Sequence, residues 1–254
     1  MKEASENYTS GTAFFNHLKD LRNLTFGRVI TFLKNLLVYS TFTFFLVTIS
    51  GVLFHGIFRP VLTPLMIKRT VEQAREDKSL QYKYNWKPLE DISPHLVLAV
   101  VASEDNNFLT HFGIDMEALQ KAREENRWRK RPRGASTITQ QTAKNLFLLP
   151  HRSYIRKGLE LYFSFLMEIC WSKRRIMEMY LNIIEMGDGI YGAGAASQYY
   201  YGKAAKNLNR FQAAMIAAIL PNPRARDPRR PSPYMYNRQK WILWNMRNIE
   251  KVDF

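Results

Sequence analysis

Two carboxylates, and the residues spaced around them, are the groups in this chain with the means to do chemistry. Glu104 opens EDNNFLTHFGID (Glu104 to Asp115) and directly follows the apolar run HLVLAVVAS. A carboxylate at the edge of a nonpolar wall is partly desolvated, which makes it a better proton acceptor and suits it to general-base work. The plainer reading is an exposed acid at a helix end. Glu160 closes RSYIRKGLE, in which Arg152, Arg156 and Glu160 recur every four residues and so share one helix face. Cations beside a carboxylate can hold a diphosphate, directly or through a divalent ion, although the same spacing also builds a surface ladder of ion pairs. His111 reads as a hydrogen-bonded spacer. No second His stands at metal-binding spacing, so no zinc site is expected.

Between the carboxylates lies RGASTITQQTAKNLFL, Arg133 to Leu148. Ser136, Thr137, Thr139, Gln140, Gln141 and Thr142 put six hydroxyl or amide side chains into seven positions. If Ser136 caps a helix, Thr137, Gln141 and Lys144 fall on one side with Gln140 beside them, while Ile138, Leu146 and Leu149 lie toward another. Hydroxyls and primary amides suit a ligand with hydroxyls and amides of its own, such as an N-acetylated sugar. A lysine at the end of the stripe suits a phosphate. The bland alternative is an exposed helix rich in Thr and Gln.

The elements that must position these groups are mainly helical. The chain has 254 residues with 46% hydrophobic content, enough for one ordinary domain and a tail. Its 37 Lys and Arg against 22 Asp and Glu leave a formal charge of +15, which points to an anionic partner: nucleic acid, anionic lipid or a phosphorylated substrate. The basic run RWRKRPR, Arg127 to Arg133, reads as a solvated loop or a contact with lipid headgroups. Cys170 is the only cysteine, so neither an internal disulfide nor a cysteine-rich metal site is expected.

From Asn35 to Phe58 no Asp, Glu, Lys or Arg occurs. As a helix that run reaches about 36 Å, enough to cross a hydrocarbon core of about 30 Å. It is longer than the apolar region of a cleaved signal peptide and lacks a small-residue cleavage site, so a retained anchor is expected. The positive-inside bias is slight. A short leading segment and a whole domain behind the span place the amino terminus in the cytoplasm and the domain outside. The segments read as a basic cytoplasmic tail (1–34), a transmembrane helix (35–58), a connector (59–84) and the domain (85–254). In the last, Ser93-Pro94 and Asp115 mark helix starts. Ser172 to Glu185 is amphipathic, and Asn209-x-x-Gln212 is a capping box before a helix that Pro221 stops. No run demands a sheet, so the domain is mainly α with a minor strand or two.

In combination these clusters resemble the family-51 peptidoglycan glycosyltransferases in their membrane-anchored, monofunctional form. Five signatures occur in order: E-D-x-x-F-x-x-H-x-G-x-D at Glu104 to Asp115, G-x-S-T-I-T-Q-Q with its A-K-N tail at Gly134 to Asn145, and R-K-x-x-E at Arg156 to Glu160. K-x-x-I-L-x-x-Y-L-N follows at Lys173 to Asn182, with Met177 for leucine. R-x-x-x-V-L ends the series at Arg238 to Leu243, with Ile242 for valine. The resemblance covers roughly 85–250 and implies a lysozyme-like, mainly α (α+β) extracytoplasmic domain. It implies lipid II as substrate, Glu104 as the general base that takes the acceptor's 4-hydroxyl proton, and Glu160 as a second essential carboxylate near the diphosphate. Lys144, Arg152 and Arg156 are implied around the leaving group. Ser136, Thr137, Gln140, Gln141 and Asn145 are implied on the donor side. Asp105, Phe108, His111 and Lys157, which stand in the same motifs, are implied to bind substrate too. A divalent cation, Mg²⁺ or Mn²⁺, fits the same picture, held through the diphosphate beside Glu160. The implied partners are lipid II, the growing glycan strand, lipids of the inner membrane, and other cell-wall or division proteins. The implied location is the inner membrane, single-pass, with the domain in the periplasm.

Two other readings compete. A muramidase or lytic transglycosylase also relies on an acid in a lysozyme-like cleft, but it has no diphosphate to bind and leaves Lys144, Arg152 and Arg156 without a task. An anchored basic protein that binds nucleic acid or another acidic polymer should show a recognition module or aromatics stacked among its basic residues, and the sequence has neither. No S-x-x-K or K-T-G occurs, so no transpeptidase activity is expected.

Overall fold

The computed structural model describes residues 3–76, 79–129, 134–151, 153–249, 252 and 254, with side chains from residue 27 onward. Two compact units divide the chain at residues 51 and 52. Helix α1 (Glu3–Ile57) begins inside the segment read as a tail. Its stretch Gly27–Ile57, 31 residues of mean hydropathy 2.0, is long and apolar enough to cross a membrane. Large side chains such as Phe32, Leu37, Tyr39, Phe42 and Val47 are exposed along it, as an anchor in lipid requires.

In the second unit α2 (Pro64–Arg75) and the strand β1 (Lys83–Tyr84) occupy the segment read as a connector. Then come α3 (Pro94–Glu104), α4 (Met116–Asn126), α5 (Ile138–Phe147), α6 (Tyr154–Cys170) and α7 (Lys173–Ile183). Strands β2 (Glu185–Gly187) and β3 (Ile190–Tyr191) precede α8 (Gly192–Tyr201), α9 (Arg210–Ile219) and α10 (Pro233–Asn248). The helix starts are capped as their residue types require. Ser93, Asp115, Ser153, Ser172, Asn209 and Ser232 each accept a first-turn amide, and Asn209 with Gln212 completes a capping box.

Two groups of helices share one hydrophobic core: α3 with α9 and α10, and α5 with α6 and α7. Helix α3 is apolar all round and buries Leu96, Val97, Ala99, Val100, Val101 and Ala102, so it runs through the interior rather than along a surface. Its last residue is Glu104, which therefore stands on a fixed support. The amphipathic α7 buries Ile176, Met177, Met179, Tyr180, Leu181 and Ile183 completely. Helix α2 is tied to β2 by Arg69, which donates from Nε to Glu185 at 3.1 Å and from Nη1 to Glu72 at 2.7 Å. Burial pushes the Glu185 carboxyl up despite that partner. The chain enters this unit at the end of α1, where Trp171 Nε1 donates to the Val52 carbonyl at 2.9 Å. Arg175 Nη2 donates to the carbonyls of His55 and Phe58 at 2.9 and 3.1 Å. The Arg175 bonds satisfy carbonyls that the helix end leaves open.

The small sheet has the order β1-β3-β2, with β1 parallel and β2 antiparallel to β3. It closes on Gly192, whose φ of 79° lies in the left-handed region and whose missing Cβ leaves room for the Asn182 carbonyl. Gly192→Ala should cost about 1–3 kcal/mol, because strain at positive φ adds to a backbone clash. Gly158, mid-helix in α6 with open space at its Cβ position, should respond oppositely: Gly158→Ala should gain up to about 1 kcal/mol. Thermal unfolding of the two variants checks both signs, at about 2–4 °C per kcal/mol for a domain of this size.

Candidate active site

Helix α3 ends at Glu104, and the next residue turns inward. Asp105 Oδ2 accepts the backbone amide of Ile138, the first residue of α5, at 2.9 Å. The same carboxylate takes His111 Nε2 at 2.9 and 3.0 Å, and its side chain is 1% exposed. A buried carboxylate on a helix N-terminus gains from the helix dipole and from the open first-turn amide. Asp105, held by His111, therefore fixes α5 against the end of α3.

Glu104 is held by three donors rather than by the nonpolar wall expected from the sequence. Ser103 Oγ donates to Oε1 at 2.9 Å, Arg238 Nη2 lies 3.5 Å from Oε1, and Gln141 Nε2 donates to Oε2 at 3.1 Å. Arg238 also donates to Ser103 Oγ at 3.0 Å. The apolar face of α3 turns into the core, so the carboxylate at its end meets polar groups from α5 and α10. Tyr180, fully buried, donates its hydroxyl to Gln141 Oε1 at 3.3 Å, which turns the amide nitrogen toward Glu104. Burial pushes the Tyr180 hydroxyl well above the ordinary phenol range, and the Glu104 and Asp105 charges push it further, so it remains a neutral donor.

The stripe on α5 divides into two sets. The N-cap is Thr137, not Ser136: Thr137 Oγ1 accepts the Gln140 amide at 3.2 Å while Gln140 Oε1 accepts the Thr137 amide at 3.1 Å. Thr137 also donates to the Gly113 carbonyl at 2.6 Å, Thr139 to Glu168 at 2.7 Å and Thr142 to the Ile138 carbonyl at 2.8 Å. Asn145 is buried as well. Thr137 and Gln140 thus cap a helix in the interior. Gln141 reaches Glu104, Lys144 lies within its electrostatic reach, and Ser136 and Thr137 border the cavity beside it.

Lys144 is largely buried and has no hydrogen-bond or ion-pair partner among the described residues. Burial lowers its ammonium pKa from the ordinary lysine value. The Glu160 charge opposes that shift, Arg156 and Lys157 add to it, and Glu104 opposes it again. Lys144 therefore stands within electrostatic reach of both carboxylates. Glu160, 3% exposed, takes Arg156 Nη1 on Oε2 at 2.8 Å and Lys157 Nζ on Oε1. Arg156 Nε is buried and without a partner among the described residues. Arg152 lies outside the described residues. Both oxygens of Glu160 are already taken by cations. Among the described residues no three His, Cys, Asp or Glu side chains converge, so this donor set does not fit a metal held by the protein itself.

Glu104 also borders a cavity of about 220 Å³, together with Ser103, Asn106, Lys121, Ser136 and Trp241. Gln141, Lys144, Arg156 and Glu160 do not border it. Phe108 is 0% exposed under the Lys173 ammonium, 4.8 Å from its ring, and has no face to offer a ligand. The sequence reading missed Ser103, Tyr180, Arg238 and Trp241 as site residues. Arg238 and Tyr180 stand in two of the five motifs, a signal that was present, but their contacts cross the fold. The two neighbouring acids should separate in stability. Asp105→Ala should cost about 3 kcal/mol by stranding the α5 amide and His111, whereas Glu104→Gln should change stability by no more than about 1 kcal/mol. Denaturant unfolding of both variants measures the difference.

Comparison with known proteins bears on this geometry. The family model described as Transglycosylase matches residues 69–247. A biosynthetic peptidoglycan transglycosylase of Bacteroides thetaiotaomicron is 47% identical over 230 residues, covering 91% of each chain. One of Bdellovibrio bacteriovorus is 48% identical over 211 residues, covering 83% of this chain and 84% of its own. One of Rhodospirillum centenum reaches 56% over 166 residues, covering 65% and 72%. This chain belongs to the transglycosylase family.

Proposed function

We propose that this chain is a biosynthetic peptidoglycan transglycosylase, which joins lipid-linked disaccharides into glycan strands. The observation that carries the reading is that Lys144, which has no ion-pair partner among the described residues, lies within electrostatic reach of Glu104 and of the Arg156–Lys157–Glu160 cluster. A base and a preorganised cationic site within reach of each other are the two requirements for displacing a diphosphate by a sugar hydroxyl.

In this reading the substrate is lipid II, a disaccharide-pentapeptide on undecaprenyl diphosphate. Glu104 takes the proton of the acceptor's 4-hydroxyl, whose oxygen bonds to the anomeric carbon of the growing strand. The bond from that carbon to the diphosphate oxygen breaks, and its electron pair leaves with undecaprenyl diphosphate. Attack from the face opposite the leaving group inverts the anomeric centre. Ser103, Arg238 and Gln141 hold Glu104 in place and keep its charge solvated. Lys144 and Arg156 face the charge that develops on the diphosphate, with Lys157 at the rim. Glu160 gathers Arg156 and Lys157 rather than acting on a proton. Any divalent ion would arrive with the diphosphate. The apolar stretch of α1 acts as an anchor and keeps the site close to the membrane that carries the substrate. The slight positive-inside bias supports a periplasmic domain.

General-base assistance is worth about 10²–10⁴-fold, so Glu104→Gln should lower the polymerisation rate by that factor. The assay is purified protein, labelled lipid II and a gel that resolves polymer. Release of soluble fragments from isolated sacculi without lipid II consumption would instead identify a cleaving enzyme. Because the Lys144 pKa lies below the usual lysine value, its charge is lost at a lower pH than an exposed lysine would require. The profile of kcat/KM against pH should therefore fall on its alkaline side below the ordinary lysine range. In Lys144→Arg that fall should move to higher pH, since a guanidinium keeps its proton.

A further inference from the structure

The two oxygens of Glu104 have different partners. Oε2 is bonded by Gln141, which shares α5 with Lys144, while Oε1 is bonded by Ser103, which borders the 220 Å³ cavity. Lys144, Arg156 and Lys157 are absent from the border of that cavity, where Lys121 is the one cation beside the carboxylates of Asp105, Asp115 and Glu117. An inverting displacement needs the attacking oxygen and the leaving group on opposite faces of the reacting carbon. With the diphosphate among Lys144 and Arg156, the attacking hydroxyl must reach Glu104 from the cavity side.

Trp241 forms part of that side. It is 42% exposed on α10, which is a large apolar ring left uncovered beside the reacting carboxylate. The Arg238 guanidinium lies 5.7 Å from the centre of its ring and also reaches Ser103 and Glu104. The ring is thereby held at a fixed place relative to the base. Around it the cavity offers Asn106, Ser136 and Lys121 as hydrogen-bonding groups. One flat apolar face among several convergent polar groups is the arrangement that recognises a sugar ring, whose faces are lined by C–H bonds and whose edge carries hydroxyls and an amide.

We propose that Trp241 is the stacking platform for the acceptor sugar and sets the acceptor's hydroxyl over Glu104. This inference rests on the transglycosylase reading and adds to it which side of Glu104 each substrate occupies. Ser136, implied by resemblance on the donor side, then belongs with the acceptor.

The test varies the two substrates separately. With a preformed lipid-linked oligosaccharide fixed as donor and lipid II varied as acceptor, Trp241→Ala should raise the acceptor KM about tenfold with kcat little changed, the signature of lost uniform binding. Trp241→Phe should restore most of the loss, and the donor KM should stay as in the unaltered protein. An unchanged acceptor KM, or an effect confined to the donor, overturns the inference and leaves the transglycosylase reading standing. Absence of polymer from the unaltered protein overturns that reading and the inference with it. Should Trp241→Ala fold poorly, tryptophan fluorescence decides the question. Titrating soluble N-acetylglucosaminyl-N-acetylmuramic acid should quench the unaltered protein and Trp244→Phe but not Trp241→Phe. Equal quenching in all three overturns the proposal.

Discussion

One buried carboxylate sets the register of the site. Asp105 takes the first amide of α5 and the ring of His111, while its neighbour Glu104 stands at the end of α3 and reaches Gln141 on α5. The relative position of Glu104 and Lys144 is therefore decided by a hydrogen bond between two helix ends. A helix terminus and a carboxylate are complementary in both charge and geometry, which lets the joint withstand burial. The helix α3 on the other side of the joint is enclosed by the core, so neither partner has freedom to drift.

The charges around this joint fall into satisfied and unsatisfied sets. Glu160 is neutralised twice, by Arg156 and Lys157, and Lys173 is matched by Glu168 at 2.8 Å. Those pairs hold α6 and the start of α7 in shape. Lys144 differs from them in lying buried with no such partner among the described residues. A lone buried cation costs free energy unless an anion comes to it, which separates a group kept for a ligand from groups that serve the fold.

Much of this was readable in the sequence, for local reasons. Ser93, Asp115 and Asn209 cap helices as their types and spacing predict, because a cap is decided within a few residues. The charge-free run from 35 to 58 lies almost wholly within the apolar part of α1. The polar stripe of α5 was harder to read. Thr137 and Gln140 look like ligand groups in sequence, yet they complete a capping box, and Thr139 is satisfied by Glu168, a residue brought near only by folding. Arg238 meets Ser103 from across the fold, a contact that no local pattern encodes. Strands of two and three residues are too short to leave an alternating signature, so the β1-β3-β2 sheet was not foreseen as a unit.

The Lys144 ammonium, without an ion-pair partner among the described residues, has a consequence for the protein as a material. A largely buried charge held without a direct partner weakens the fold around it. A neutral side chain of similar length at this position should therefore make the domain sturdier.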